Sequence, residues 1–244
     1  MRRVKTWLRN RIAGPQPQDV FRRSWYQRHN QRRQEHLASL GLPLDHRTVL
    51  EVGAGIGDHT SFFIDRSCKV TTSDARPDNV AMLRVRYPDL DVRLLDLDDP
   101  DDTFDLEAEI VYCYGTLYHL SRPAEAIAFM QARCSGLLLL ETCVSAGDDV
   151  SLNPVPEDIE NVSQSLVGVG CRPTRPWVHQ YLSKHFPHVY LARTQPWHPE
   201  FPLDWRDVDP HSSELVRAVF VASRAPLDDL KTLTTEIPYL QTRH

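Results

Sequence analysis

The sequence predicts an α/β domain, a mostly parallel sheet with helices on both faces. Three observations carry that expectation. Five short apolar runs, at residues 48–53, 68–74, 91–96, 109–114 and 136–141, have the length and composition of strands buried on both faces. Helix-compatible stretches lie among them at 78–87 and 122–134, and such alternation is the signature of parallel strands joined by crossover helices. With 244 residues, 41% hydrophobic and 25% charged, the chain can close one substantial core over that sheet.

Taken in order, residues 1–18 read as a basic arm and linker ending in Gly14-Pro15-Gln16-Pro17-Gln18, where the prolines break regular structure. Asp19 can cap a helix through Phe21, Trp25, Tyr26 and Leu37, so 19–40 reads as an N-terminal helix. The main domain spans 41–224. Its last two strands, 188–193 and 217–222, have no convincing crossover helix between them, which permits an antiparallel closing strand. Residues 225–244 form a C-terminal tail. The one biased segment, 96–109, holds eight carboxylates in fourteen residues.

Composition excludes several classes. No uninterrupted apolar run exceeds six residues, far short of the ~20 residues that span a bilayer. Charges recur at Arg9 and Arg11 before any apolar stretch, which argues against an export signal. Five cysteines without a CxxC pair, with Cys113 and Cys143 inside apolar runs, fit a reducing, cytoplasmic compartment. The net charge of −5 hides an asymmetry, because residues 1–33 hold ten Lys/Arg against Asp19 alone. Trp7, Leu8 and Ile12 among those arginines make a short basic amphipathic segment able to touch an anionic surface. The acidic remainder argues against nucleic acid as a partner, since a bound backbone needs basic residues spread over a face.

The richest signal is Glu51-Val52-Gly53-Ala54-Gly55-Ile56-Gly57-Asp58, directly after the first strand. Glycines there let backbone amides approach a ligand closely at a helix N-terminus. The nicotinamide fingerprint GxGxxG requires glycine or alanine where this chain has Asp58, and a carboxylate beside a pyrophosphate is repulsive. Glu51, by contrast, welcomes a cationic ligand. Asp74 ends the second strand, 23 residues after Glu51, where a carboxylate can accept ribose hydroxyls.

On these residues, together with Asp96 and the segment 112–120, the sequence resembles the class I S-adenosylmethionine (SAM)-dependent methyltransferases over roughly 41–224. The resemblance implies a Rossmann-like, seven-stranded sheet with one antiparallel strand, and SAM as cofactor. It implies that Gly53, Ala54, Gly55 and Gly57 contact the methionine part, that Glu51 lies near the ammonium group, and that Asp74, with Ala75 beside it, binds the ribose. Asp96 would meet the adenine amino group with Leu97 beside the ring, and the segment from Tyr114 through Tyr118 and His119 would pass beside the transferred methyl. The helix at 19–40 would fold over the site as a lid. The Tyr118-His119-Leu120 stretch is similar to that of superfamily members acting on small molecules and on tRNA wobble uridine.

The acceptor belongs beyond the carboxyl ends of the parallel strands. His119 is the candidate general base, with a pKa suited to proton transfer near neutrality; the alternative is that it packs against the ligands while alignment supplies the acceleration. Tyr118 is the second catalytic candidate. Candidate acceptor contacts are Trp25 and Tyr26, Thr142 after the fifth strand, Arg172 on the long connection that follows, and Trp197 and His198 in a proline-rich aromatic loop, which suits stacking on a ring or packing on itself. His179, His185 and His188 match no metal-ligand spacing, so no metal is expected. The reading is methyl transfer to oxygen or nitrogen of a small polar acceptor, of glycan or secondary-metabolite type. Its rivals are a nicotinamide-dependent oxidoreductase, a non-catalytic SAM-fold binding protein and a methyltransferase acting on tRNA, the last weakened by the acidic body.

Overall fold

The computed structural model describes residues 17–244 except Asp102, His211, Ser213 and Asp229. The basic amphipathic segment with Trp7, Leu8 and Ile12 lies outside the described residues. Helices α1 (Pro17–Phe21) and α2 (Ser24–Ser39) precede β1 (Thr48–Glu51), α3 (Thr60–Ile64), β2 (Lys69–Asp74), α4 (Pro77–Arg86), β3 (Asp91–Leu94) and β4 (Ala108–Tyr114). A 3₁₀ turn, Leu117–His119, then leads to α5 (Pro123–Ala132) and β5 (Cys134–Val144). The short β6 (Pro154–Pro156) and β7 (Val169–Cys171), α6 (Arg175–Ser183), β8 (His188–Ala192), β9 (Thr194–Gln195), β10 (Val216–Ser223), β11 (Leu233–Thr234) and β12 (Thr242–Arg243) complete the chain. Prolines in the first turns of α4, α5 and α6 start those helices, where a missing N–H costs nothing.

The main sheet has the order β11-β8-β10-β5-β4-β1-β2-β3. Strands β1 to β5 are parallel, and β10 runs antiparallel between β5 and β8. The sheet thus has eight strands where seven were expected. The extra strand, β11, comes from the tail and pairs antiparallel with β8, covering what would otherwise be an open apolar edge; Leu233 is buried there.

Alternation along the strands builds two cores. Val111 and Cys113 of β4 face one layer with Leu138 and Leu140 of β5. Ile110, Tyr112 and Tyr114 face the other with Leu137 and Leu139, as the two-residue period of a strand dictates. Helix α2 departs from this pattern. Its buried stripe, His29, Asn30, Arg33, His36 and Leu37, has helical spacing but is almost wholly polar, so this helix packs over chemistry and not over a greasy face.

Candidate active site

Beyond β1 the chain turns through Gly53, Gly55 and Gly57, at φ 63°, 59° and 80°. A Cβ on Gly53 would lie 2.1 Å from Thr116 Oγ1, and one on Gly57 2.6 Å from the Tyr87 ring. Left-handed backbone and lack of room both demand glycine here. The Gly55 amide donates to Asp74 Oδ2 at 2.8 Å, while Asp74 Oδ1 accepts from the Arg76 amide and Asn79 Nδ2, each at 2.9 Å. Burial pushes the Asp74 carboxyl up, with those three donors opposing. Asp74 borders a cavity with Gly53, Gly55, Ala75 and Asp96.

Glu51 is 2% exposed. Its Oε2 accepts from Thr60 Oγ1 at 2.5 Å and Thr72 Oγ1 at 3.0 Å, yet burial pushes its pKa up to about 7. It borders an adjoining recess with Ala54, Gly55 and Tyr114, and the Tyr114 hydroxyl is buried without a partner. Such a set of groups fits SAM. A buried carboxylate calls for an ammonium, the glycine cradle excludes side chains from the ligand's path, and an orphaned hydroxyl lacks its hydrogen bond. Asp96 sits half-buried at the cavity edge and accepts from the Asp98 amide. Leu97 is instead turned into the core, and Leu120, Val162 and Leu166 border the cavity. Gly57 shapes the turn without bordering it.

Helix α2 closes a second chamber of about 160 Å³, bordered by Trp25, Tyr26, His29, Tyr118, His119 and Arg172 among others. Tyr26, Gly115 and His119 border both this chamber and the cofactor cavity. Beneath it lies a buried ion network. Glu141 accepts from Arg33 at 2.7 Å and Arg217 at 3.0 Å, and Arg217 also reaches Glu200 at 2.5 Å and the Tyr118 hydroxyl at 3.1 Å. Burial opposes the Glu141 charge, but Arg217 and Arg33 together hold its carboxyl below the usual range. His119 Nδ1 lies 2.5 Å from Glu157 Oε2. Burial lowers the His119 pKa, Glu157 pulls it back up, and Arg217 and Arg172 push it down, leaving a neutral imidazole near pH 7.

Sequence reasoning missed Arg33, Glu141, Glu157, Glu200 and Arg217. Glu141 and Arg217 carried a signal, a charge inside an apolar strand; register sets Arg217 opposite Cys143 and Val219 opposite Glu141, which makes the pair diagonal neighbours. Arg33 stands among identical arginines and carried none. Of the expected acceptor contacts, Trp25, Tyr26 and Arg172 border the chamber. Thr142 is buried within β5, bonded to the Cys143 carbonyl, and Trp197 lies exposed with its indole N–H on the His244 carbonyl at 2.9 Å. His198 stacks on His29, ring centroids 4.5 Å apart. His29, His198 and Glu200 form the one metal-type cluster among the described residues. Their candidate ligand atoms lie within 4.8 Å of one another, and Glu200 already pairs with Arg217.

Residues 50–132 match the family model described as "Methyltransferase domain". A tRNA U34 carboxymethyltransferase of Shewanella putrefaciens is 35% identical over 127 residues, 48% of this chain and 37% of that protein. The chain thus spans well under half the length of that relative. Among solved structures, the N-terminal domain of EvdMO1 with SAH bound superposes with TM-score 0.58 at 16% identity, covering 80% of each chain. Magnesium protoporphyrin IX methyltransferase from Synechocystis PCC 6803 with bound SAM gives 0.56 at 14%, covering 91% of each. At such identities these structures show the fold. Glycine cradle, strand-tip carboxylates and sheet order fit a SAM-type nucleoside-binding domain. The methyltransferase-domain match over residues 50–132 and the shared fold support a class I SAM-dependent methyltransferase with SAM as cofactor.

Two expectations need revising. The nicotinamide rival is not favoured, and Asp58 at the loop end is engaged by Arg86 at 2.5 Å and Asn30 at 3.2 Å. The expectation that nucleic acid is an unlikely partner is overturned, because the curated relatives are named as tRNA U34 carboxymethyltransferases. That expectation rested on the acidic body as a whole. Arg22, Arg23 and Arg28 are exposed and lie within three residues of Trp25, which borders the chamber. No helix among the described residues is long and apolar enough to cross a membrane.

Proposed function

We propose that this protein transfers a methyl group from SAM to an oxygen or nitrogen of an RNA nucleoside, with tRNA as the acceptor class. The observation that carries the reading is the shared wall: Tyr26, Gly115 and His119 border both the cofactor cavity and the α2 chamber, so donor and acceptor sites meet across one partition. When bound, SAM supplies a methyl made electrophilic by its sulfonium charge. Glu51 would hold the ammonium, the glycine-loop amides the carboxylate, Asp74 the ribose and Asp96 the adenine amino group. Trp25 and Tyr26, ring centroids 5.4 Å apart and edge-on, offer aromatic faces for a splayed-out base. Exposed arginines beside them suit its phosphates. His119 is the base that takes the acceptor's proton, with Tyr118 beside it. In keeping with a tRNA acceptor, we assign the protein to the cytoplasm.

One observation favours a second reading, transfer of a carboxymethyl group. Arg33 borders both the Glu51 recess and the chamber, and its Nε is buried without a partner. A carboxylate on the transferred carbon would complete that guanidinium. The test is mass analysis of nucleosides from tRNA of cells expressing the protein, beside cells expressing Asp74→Ala. One nucleoside heavier by a methyl is expected, and a carboxymethyl increment would select the second reading. Unmodified tRNA, with calorimetry still showing SAH binding by the wild type, would reject RNA as acceptor.

A further inference from the structure

We propose that Glu157 is a positioning residue for His119, holding the imidazole in the tautomer protonated on Nδ1 so that Nε2 is the nitrogen offered to the acceptor's proton. This rests on the methyl-transfer reading above and adds to it a residue that neither the glycine-loop motif nor the strand pattern identifies.

The geometry is specific. Glu157 Oε2 lies 2.5 Å from His119 Nδ1, and an ionised carboxylate only accepts hydrogen bonds, so the proton of a neutral imidazole sits on Nδ1. The Glu157 side chain is 3% exposed. Burial opposes its charge, while His119, the Ser165 amide and Arg172 hold its carboxyl below the usual range. The Ser165 amide donates to Oε2 at 2.8 Å, and Arg172 Nη2 stands 3.6 Å from Oε1. Gly170 makes this approach feasible. A Cβ there would lie 2.5 Å from the Tyr118 carbonyl and 2.9 Å from Glu157 Oε1.

The same carboxylate reaches the cofactor side. Ser163, Gln164, Ser165 and Leu166 border the cofactor cavity, and Arg76 holds the carbonyls of Ile159, Gln164 and Ser165 at 3.0–3.1 Å. Glu157 therefore ties the base to the strap that walls that cavity. The charged and titratable groups around His119 are Glu157, Arg172, Arg217 and Tyr118, with Tyr26, His29, Arg33 and Glu200 also bordering the chamber. In the reaction, the acceptor oxygen or nitrogen forms its bond to the methyl carbon as the C–S bond breaks. Sulfur keeps that electron pair and leaves as a neutral thioether, and the acceptor's proton passes to Nε2. The resulting imidazolium is stabilised by the Glu157 carboxylate.

The experiment is NMR of full-length protein labelled with ¹⁵N-histidine, with His119 assigned by its loss in His119→Gln. The expected wild-type spectrum has a protonated Nδ1 and a bare Nε2, and Glu157→Gln lowers the His119 pKa. With tRNA and SAM, Glu157→Gln is expected to lower kcat about 10-fold or more. The acid limb of the pH profile moves to lower pH, and KM for SAM stays unchanged. A wild-type Nε2–H tautomer overturns the proposal, as does a Glu157→Gln enzyme whose kcat and pH profile match the wild type. If tRNA accepts no methyl group, the RNA reading fails while the tautomer decides this one. If Glu157→Gln loses affinity for SAH, the strap has moved and the wild-type tautomer again decides.

Discussion

The cofactor side and the acceptor side of the shared wall are built in opposite ways. Backbone does most of the work on the cofactor side, where residues 51–57 and 74–79 form two short strand-to-helix turns with Asp74 stitching one amide to the other. Side chains assemble the acceptor side, from α2, the 3₁₀ turn, β5, the strap and β10, joined by ion pairs with Glu141 at their centre. The difference teaches where damage should travel. A backbone-held site loses affinity when a side chain is removed, whereas a site held by buried charges loses stability, because each charge left unpaired has already been stripped of water.

The largest expected effect tests that contrast directly. Glu141→Gln leaves Arg33 buried without its carboxylate and should cost about 3–5 kcal/mol of folding stability, read by urea denaturation. A loss under about 1 kcal/mol, the scale of an exposed pair, would break the comparison.

Next comes the pH dependence of cofactor binding. Glu51 in the free protein has a pKa raised by burial to about 7, and a ligand ammonium favours the ionised form. Affinity for SAH should therefore be full above that pH and fall as pH drops through it, approaching about tenfold per pH unit. Calorimetry across the neutral range checks this. Glu51→Gln should bind more weakly with the Glu51-dependent step gone, and a wild type whose affinity does not change with pH would remove Glu51 from the ammonium site.

The smallest effect belongs to the rim. Arg28→Gln should weaken tRNA binding by a few-fold at low salt and reduce the salt slope by about one, as loss of one phosphate contact does, while SAH affinity holds. An unaltered slope in filter binding would place the RNA elsewhere.

Much of the cofactor side was legible because its determinants are local. Glu51, Gly53, Gly55 and Asp74 stand at strand ends that the apolar runs already marked, and each takes its position from its own turn. Leu97 shows the limit. Its distance from Asp96 is one residue, but which way it faces is set by the core around it, and it faces inward. The acceptor side was legible only in part. Trp25, Tyr26, Tyr118, His119 and Arg172 were visible as residue types near strand ends or on the N-terminal helix. Thr142 and Trp197 were equally visible and border no cavity that holds the others.

By itself, then, the sequence determined the parallel sheet, the glycine turn and the acids at its flanks, since alternation, φ > 0 and strand-end placement are properties of neighbouring residues. Only the tertiary structure decided that Arg33 reaches Glu141 across 108 residues, that Glu157 comes beneath His119, and that the tail closes the sheet with an eighth strand. Those outcomes depend on which surfaces pack together, and a buried charge finds its partner only after the chain has excluded the water that would otherwise have served it.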